Sequence, residues 1–186
     1  MQIKINELAS LIKERLQKPL PGNDAHQITR IKTKSEITFS NTEETATPAA
    51  VLILLFPSGN EIEFFLTKRT EDVEHHKGQI SLPGGLKEKD ESLKQTAIRE
   101  TKEEVGIDPN TIMILGSLTP FFIPVTGYIV HPFIGWCKEK PLTQVHDVEV
   151  HQLFSVSIAG LLDESILKSE EWNIRGYDAI VPYYNF

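Results

Sequence analysis

Residues 85–107 read GLKEKDESLKQTAIRETKEEVGI, and this stretch decides the fold. Leu93, Ala97, Thr101 and Val105 recur every fourth residue, with Ile98 widening the stripe. That spacing predicts a helix over 90–105 with one face able to pack on a sheet. Asp90 stands where an N-cap is expected, and Gly106 where a left-handed C-terminal residue belongs. Glu100, Glu103 and Glu104 fall at i, i+3 and i+4, so their carboxylates leave the helix on one side. Such like-charge spacings cost a few tenths of a kcal/mol per pair in an isolated helix. An acidic helix face alone is usually just solvated surface.

Its surroundings change that reading. Pro83-Gly84-Gly85 is a turn whose backbone can approach a metal or phosphate unobstructed. Arg99 lies four residues before Glu103 and eight after Glu91, placed to orient both. Converging carboxylates are hard oxygen donors suited to Mg²⁺ or Mn²⁺. A glycine turn, an arginine and a carboxylate cluster together suit phosphate chemistry.

Working outward, Ala49–Phe56 is a continuous apolar run, as expected of a strand buried on both faces. A turn at 57–60 and a β-rich segment at 61–67 complete a predicted hairpin, and 78–85 combine a short strand with the glycine turn. Further strands are expected at 113–118, 128–137, 150–155 and 178–184, with a short helix near 158–163. An amphipathic helix is expected over 5–16, ended by Pro19, Pro21 and Gly22, and a polar connector over 33–47. Strands on both sides of one central helix imply an α/β fold, a mixed sheet between helices.

The chain has 186 residues, 40% hydrophobic and 24% charged, which fits one domain over 1–186. Its formal charge of −7, from 19 basic and 26 acidic residues, argues against a nucleic-acid partner. The longest apolar run is strand-length, so no membrane span is expected. The N-terminus lacks an apolar signal core, the ending VPYYNF carries no organellar address, and the single Cys137 suits a reducing compartment. The expectation is therefore cytoplasmic. The oligomeric state stays open, a homodimer included.

Residues 85–107 resemble the Nudix box, G-x5-E-x7-R-E-U-x-E-E-x-G-U, where U is a bulky apolar residue. Gly85, Glu91, Arg99, Glu100, Glu103, Glu104, Gly106 and Ile107 match, and Thr101 at the first U position departs from it. The resemblance implies an α/β/α sandwich with the box as loop–helix–loop over 85–107. It implies Glu100, Glu103 and Glu104 as ligands of Mg²⁺ or Mn²⁺, with the Gly85 carbonyl as a further one. Arg99 and Glu91 would hold the ligand geometry. The implied reaction is hydrolysis of a diphosphate linkage in a small-molecule substrate, divalent ions polarising the diphosphate and activating water.

Upstream, FLTKRTEDVEHHKGQISLPGG at 65–85 resembles the motif of the coenzyme A pyrophosphatase subfamily, LLTxR[SA]x3Rx3GxxxFPGG. Leu66, Thr67, Arg69, Gly78, Pro83, Gly84 and Gly85 match, while Phe65, Thr70 and Leu82 are conservative replacements. Glu74 stands where the second arginine falls, a reversal of charge that Lys77 three residues on could offset. Thr67, Arg69, Lys77, Gly78, Pro83 and Gly84 are thus the implied substrate-binding set. Pro19–Gly22, Leu118-Thr119-Pro120, Ile123-Pro124, Val130-His131-Pro132 and Glu149-Val150 resemble the same subfamily. Glu149, with Asp147 second, is the implied further metal ligand or general base. Relatives run on in an Ile-Trp-Gly-Ala-Thr-Ala-like stretch that opens a helix, whereas this sequence ends at Phe186.

The resemblance implies cleavage of coenzyme A or its thioesters to 3′,5′-ADP and a phosphopantetheine product. ADP-ribose, a dinucleotide or a nucleoside triphosphate are the alternative substrates, and a silent nucleotide-sensing domain the remote one. His75, His76, His131 and His146 read as solvated, Cys137 as a buried small hydrophobe, and Trp136 and Trp172 as packing residues. Phe121-Phe122-Ile123-Pro124 suits either a pocket wall or the core.

Overall fold

The computed structural model describes residues 5–33, 38–70, 79–145, 150–174 and 176–185. In chain order the elements are α1 (Ile5–Leu16), α2 (Asn23–His26), β1 (Lys32–Thr33), β2 (Thr47–Ser58) and β3 (Glu61–Arg69). Next come β4 (Ile80–Ser81), β5 (Gly84–Leu86), α3 (Leu93–Val105), β6 (Met113–Ser117), β7 (Phe121–Ile123) and β8 (Tyr128–Trp136). The chain continues through β9 (Val150–Ser157), α4 (Ile158–Leu161), β10 (Leu167–Ile174) and β11 (Tyr177–Tyr184).

β2 is the spine of the larger, mixed sheet, and its sequence explains why. Side chains alternate across a strand, so an unbroken apolar run buries both faces. Ala50, Leu52, Leu54 and Phe56 pack with Ala97 and Val105 of α3. Leu55 and Ile53 face the other way, into a cluster with Leu8, Ala9, Ile12 and Leu16 of α1 and Ile158 and Leu161 of α4. Helices therefore cover both faces of one sheet, giving the expected α/β/α sandwich. Each fully buried Leu or Phe in these clusters stabilises the fold by about 2 kcal/mol.

On one edge β2 runs parallel to β8, in register from Thr47↔Tyr128 to Leu55↔Trp136. On the other edge it changes partners. Residues 49–51 pair antiparallel with β5, and residues 55–58 pair with β3. The strands 61–69 and 47–58 form the expected hairpin, although β2 continues through Pro57 and Ser58 and leaves only Gly59 and Asn60 to turn. β9 and β4 extend the sheet beyond β3. β6 and β7 both pair with β8.

Three readings need correction. The central helix starts at Leu93, not Asp90: Ser92 is its N-cap, in a capping box with Gln95. Asp90 instead holds a positive φ of 66° in the preceding turn. Gly106 is the left-handed C-cap as expected, with φ 74°. The second correction is a separate three-stranded sheet, β1-β11-β10, in which β10 was not anticipated. Trp172 lies there half exposed, stacked on Tyr183 at 6.4 Å with its indole N–H donating to Glu170, rather than in a core. Thirdly, His131, expected to be solvated, lies half-buried on the strand β8.

Trp136 and Cys137 are buried as anticipated, and burial pushes the Cys137 thiol pKa up. Among the described residues, no helix is long and apolar enough to cross a membrane.

Candidate functional site

The split in the pairing of β2 is where the Pro83-Gly84-Gly85 turn sits. The Leu52 amide donates to the Pro83 carbonyl and the Lys87 amide to the Pro48 carbonyl, each at 2.9 Å, pinning both ends of the turn to β2. Gly84 has φ 157°, and a Cβ there would run into the Ala50 carbonyl and the Val51 backbone. At Gly85 a Cβ would instead meet the carboxylate of Glu100. The two glycines have different duties. Gly84 lets the strand close on β2, and Gly85 leaves a cradle filled by a carboxylate.

α3 brings the acidic side chains to this turn. Glu104 is only 3% exposed, and its carboxylate accepts from the Gly84 amide at 3.3 Å. Glu100 reaches Gly85, one helical turn earlier. Glu103 lies further out, its side chain 57% exposed against 15% for Glu100. The structure thus gathers Gly84, Gly85, Glu100 and Glu104 at the turn, with Glu103 beside them.

Arg99 organises the outer side. Its Nε and Nη2 donate to the two oxygens of Glu91 at 3.1 and 2.9 Å, a bidentate pair. Its Nη1 donates to Glu100 and Glu103, each at 2.9 Å, and its Nη2 to the Leu86 carbonyl at 3.2 Å. One guanidinium therefore ties the helix to the loop that leaves β5. Glu91 also accepts from the Glu88 amide and from the Thr96 hydroxyl, each at 2.8 Å. The Arg99 hydrogen bonds, followed by the Glu88 amide, hold the Glu91 carboxyl down at a pKa of about 2. Glu91 in turn is the largest cause of the raised Arg99 pKa.

That depressed pKa has a testable consequence. A carboxyl lowered on folding contributes stability that is complete above the ordinary carboxylate range and fades as pH falls toward its folded value. Denaturant melts of wild type and Glu91→Gln should differ most above about pH 5, the gap narrowing as pH drops toward 3. A gap that stays constant down to pH 3 would show that the Glu91 charge is not what holds Arg99.

The charge balance at the turn is lopsided: Arg99 is set among Glu91, Glu100 and Glu103, with Glu104 behind them. A divalent cation fits this chemistry, with carboxylate oxygens and glycine backbone at one point and no side chain on Gly85 to exclude it. Among the described residues no three His, Cys, Asp or Glu side chains converge as a finished cage. Glu103 is turned to Arg99.

The upstream residues divide. Thr67 is 1% exposed, and its hydroxyl lies 3.3 Å from the Ser81 carbonyl and hydroxyl across the β3–β4 pair. It braces the strand leading into the turn and has no open side chain to offer a ligand. Pro83 and Gly84 are within the turn itself. Arg69 ends β3, where the register shifts as it pairs with Val150. Lys77, Gly78 and Glu149 lie outside the described residues, as do Glu74, His75, His76, His146 and Asp147. One contact had no signal in the sequence. The Gln144 amide donates to the Val105 carbonyl at 2.8 Å, and Gly106 lies so close that a Cβ would meet the Gln144 backbone. The segment preceding β9 is thereby tied to the end of α3.

A sandwich with a glycine turn facing an acidic helix is the arrangement the box resemblance implied. The Nudix domain family model matches residues 46–175, and the chain belongs to the Nudix family. It is similar to mitochondrial Nudix hydrolase 15 of Arabidopsis thaliana, 33% identical over 144 residues, covering 74% of this chain and 50% of that protein. It is also similar to the peroxisomal coenzyme A diphosphatase ndx-8 of Caenorhabditis elegans, 31% identical over 121 residues, covering 63% and 51%. The chain spans about half the length of the curated relatives it matches. Among solved structures, a C. elegans Ap4A hydrolase binary complex superposes with a TM-score of 0.53 at 22% identity, covering 63% of this chain and 84% of that one. That likeness shows the shared fold.

Proposed function

We propose that this chain, acting as one unit over 1–186, is a divalent-metal-dependent pyrophosphohydrolase that cleaves coenzyme A or acyl-coenzyme A to 3′,5′-ADP and the phosphopantetheine product. The observation that carries the reading is the cradle at Gly85. Two box carboxylates, Glu100 and Glu104, are delivered to a glycine turn, where a Cβ on Gly85 would take the place of the Glu100 carboxylate. In this reading Glu100, Glu103, Glu104 and the Gly85 carbonyl hold the metal. Arg99 and Glu91 fix the carboxylates, and Glu149 serves as the further ligand or base. Mg²⁺ or Mn²⁺, when bound, supplies Lewis-acid polarisation of the diphosphate and a more acidic water. Arg69, Lys77 and Gly78, from the motif that precedes the turn in sequence, would bind the substrate. Thr67 would act by holding β3 to the strand that carries Pro83 and Gly84.

Support for coenzyme A comes from the motif at 65–85 and from the similarity to a coenzyme A diphosphatase. Glu74 favours a second reading, a pyrophosphohydrolase of ADP-ribose, a dinucleotide or a nucleoside triphosphate, because it places a negative charge where the motif has an arginine. The relatives' names span mitochondrion, chloroplast and peroxisome, and a cytoplasmic setting is proposed here on the lone buried Cys137. A panel of coenzyme A, acetyl-coenzyme A, ADP-ribose, diadenosine polyphosphates and nucleoside triphosphates, with products separated by chromatography, tests the substrate. Release of 3′,5′-ADP from coenzyme A well above all other turnover is the expected result. Preference for another member transfers the assignment to that substrate.

A further inference from the structure

We propose that His131 contacts the nucleoside half of the substrate and helps set specificity for it. The inference rests on the pyrophosphohydrolase reading above and concerns a residue that reading leaves unused.

His131 of β8 pairs with Ala50 of β2, and Ala50 pairs with Gly85 of β5. Paired residues in a sheet share a face, so these three form one row across it. The row lies on the α3 side. Ala50 packs with Ala97 of α3, and the next paired positions, Leu52 and Phe133, belong to the same cluster. Ile134 and Trp136, of opposite parity on β8, belong to the cluster on the α1 side.

Two strand spacings separate His131 from Gly85, about 10 Å. A diphosphate held at the glycine turn does not reach that far, but the nucleoside attached to it does. The surface beside His131 has the matching character. Ile129 lies two residues back on the same strand face and pairs with Phe122 of β7. Both are half-buried. Phe121, of opposite parity, turns away to meet the ring of His26 at 5.6 Å. Phe122 and Ile129 thus make an apolar floor with an imidazole at its end toward Gly85. An apolar floor with one polar group at its margin suits a planar base and its ribose better than a flexible polar arm.

The protonation state agrees. Partial burial lowers the His131 pKa, which favours the neutral ring. A neutral imidazole has one donor and one acceptor nitrogen to offer a base or ribose hydroxyl. The half-buried ring is thus open enough to meet a ligand on this face.

The test uses His131→Gln and His131→Ala of the full chain, and a titration free of metal. In steady-state assays on the best substrate of the panel, His131→Ala should raise KM by about tenfold with kcat little changed, the pattern of lost ground-state binding. Separately, imidazole ¹⁵N–¹H correlation spectra of wild type in excess chelator identify the His131 signals by their loss in His131→Gln. Those signals should move on addition of 3′,5′-ADP and stay in place with 4′-phosphopantetheine. Wild-type KM in a folded His131→Ala, or signals that ignore the nucleotide, would overturn the proposal. So would signals that follow phosphopantetheine instead. If wild type hydrolyses no member of the panel, the enzymatic reading fails by that result, and the nucleotide titration still decides for or against His131.

Discussion

Glu104→Gln lowers turnover by on the order of a thousandfold and leaves the thermal transition near that of wild type. The substitution keeps volume and keeps an oxygen that can accept from the Gly84 amide, so the packing of α3 against the turn survives. What it removes is one negative charge at the point where the proposed metal needs it. Losing a ligand that stabilises charge in the transition state costs several kcal/mol, and about 4 kcal/mol is a thousandfold in rate. Glu103→Gln is expected to lower turnover strongly too, although it is exposed and also loses a charged partner of Arg99. Full activity in either variant removes that carboxylate from the mechanism.

The second large effect separates the two glycines of the turn. Gly84→Ala places a methyl against the Ala50 carbonyl and the Val51 backbone, neither of which can move without opening the β2–β5 pair. A loss of about 3 kcal/mol or more is expected, since overpacking and a backbone angle disfavoured by L residues act together. Gly85→Ala meets instead the end of the Glu100 side chain, which can swing away. It should keep most of its stability and lose most of its activity, because the displaced group is a proposed ligand. Denaturant melts and turnover measured on both variants check the contrast. Equal stability in the two would mean that β5 does not need its close approach to β2.

These expectations also show what could be read from residues alone. The hairpin, the spine strand (expected over 49–56, found over 47–58) and the central helix (expected over 90–105, found over 93–105) are legible because their signals are local: an apolar run, a turn and a four-residue stripe. Asp90 competes with Ser92 as the N-cap in the sequence, and the capping box that Ser92 forms with Gln95 decides the start of the helix. β10 has no clear signal in the sequence, because LKSEEWNI carries little apolar alternation and its partner is β11 rather than the core sheet. The change of partner along β2 depends on contacts distant in sequence, as does the tie between Gln144 and Val105. So does the place of His131: its strand is expected from the sequence, but only register sets it in one row with Ala50 and Gly85.

In the site the spacing groups the acids but does not give their separate directions. Helical periodicity puts Glu100, Glu103 and Glu104 on one side. Only the packed structure sends Glu104 to the Gly84 amide and Glu100 to Gly85, and leaves Glu103 with Arg99 in the outer position. Thr67 is the converse case. Its motif position suggested a substrate contact, and its burial against Ser81 makes it a brace.

The most direct test of the central claim is hydrolysis of coenzyme A measured with Mg²⁺ and again in excess chelator, with the products resolved. The expected products with the metal are 3′,5′-ADP and phosphopantetheine, with turnover abolished by chelation and restored when Mg²⁺ or Mn²⁺ is returned. Undiminished turnover in excess chelator would contradict it.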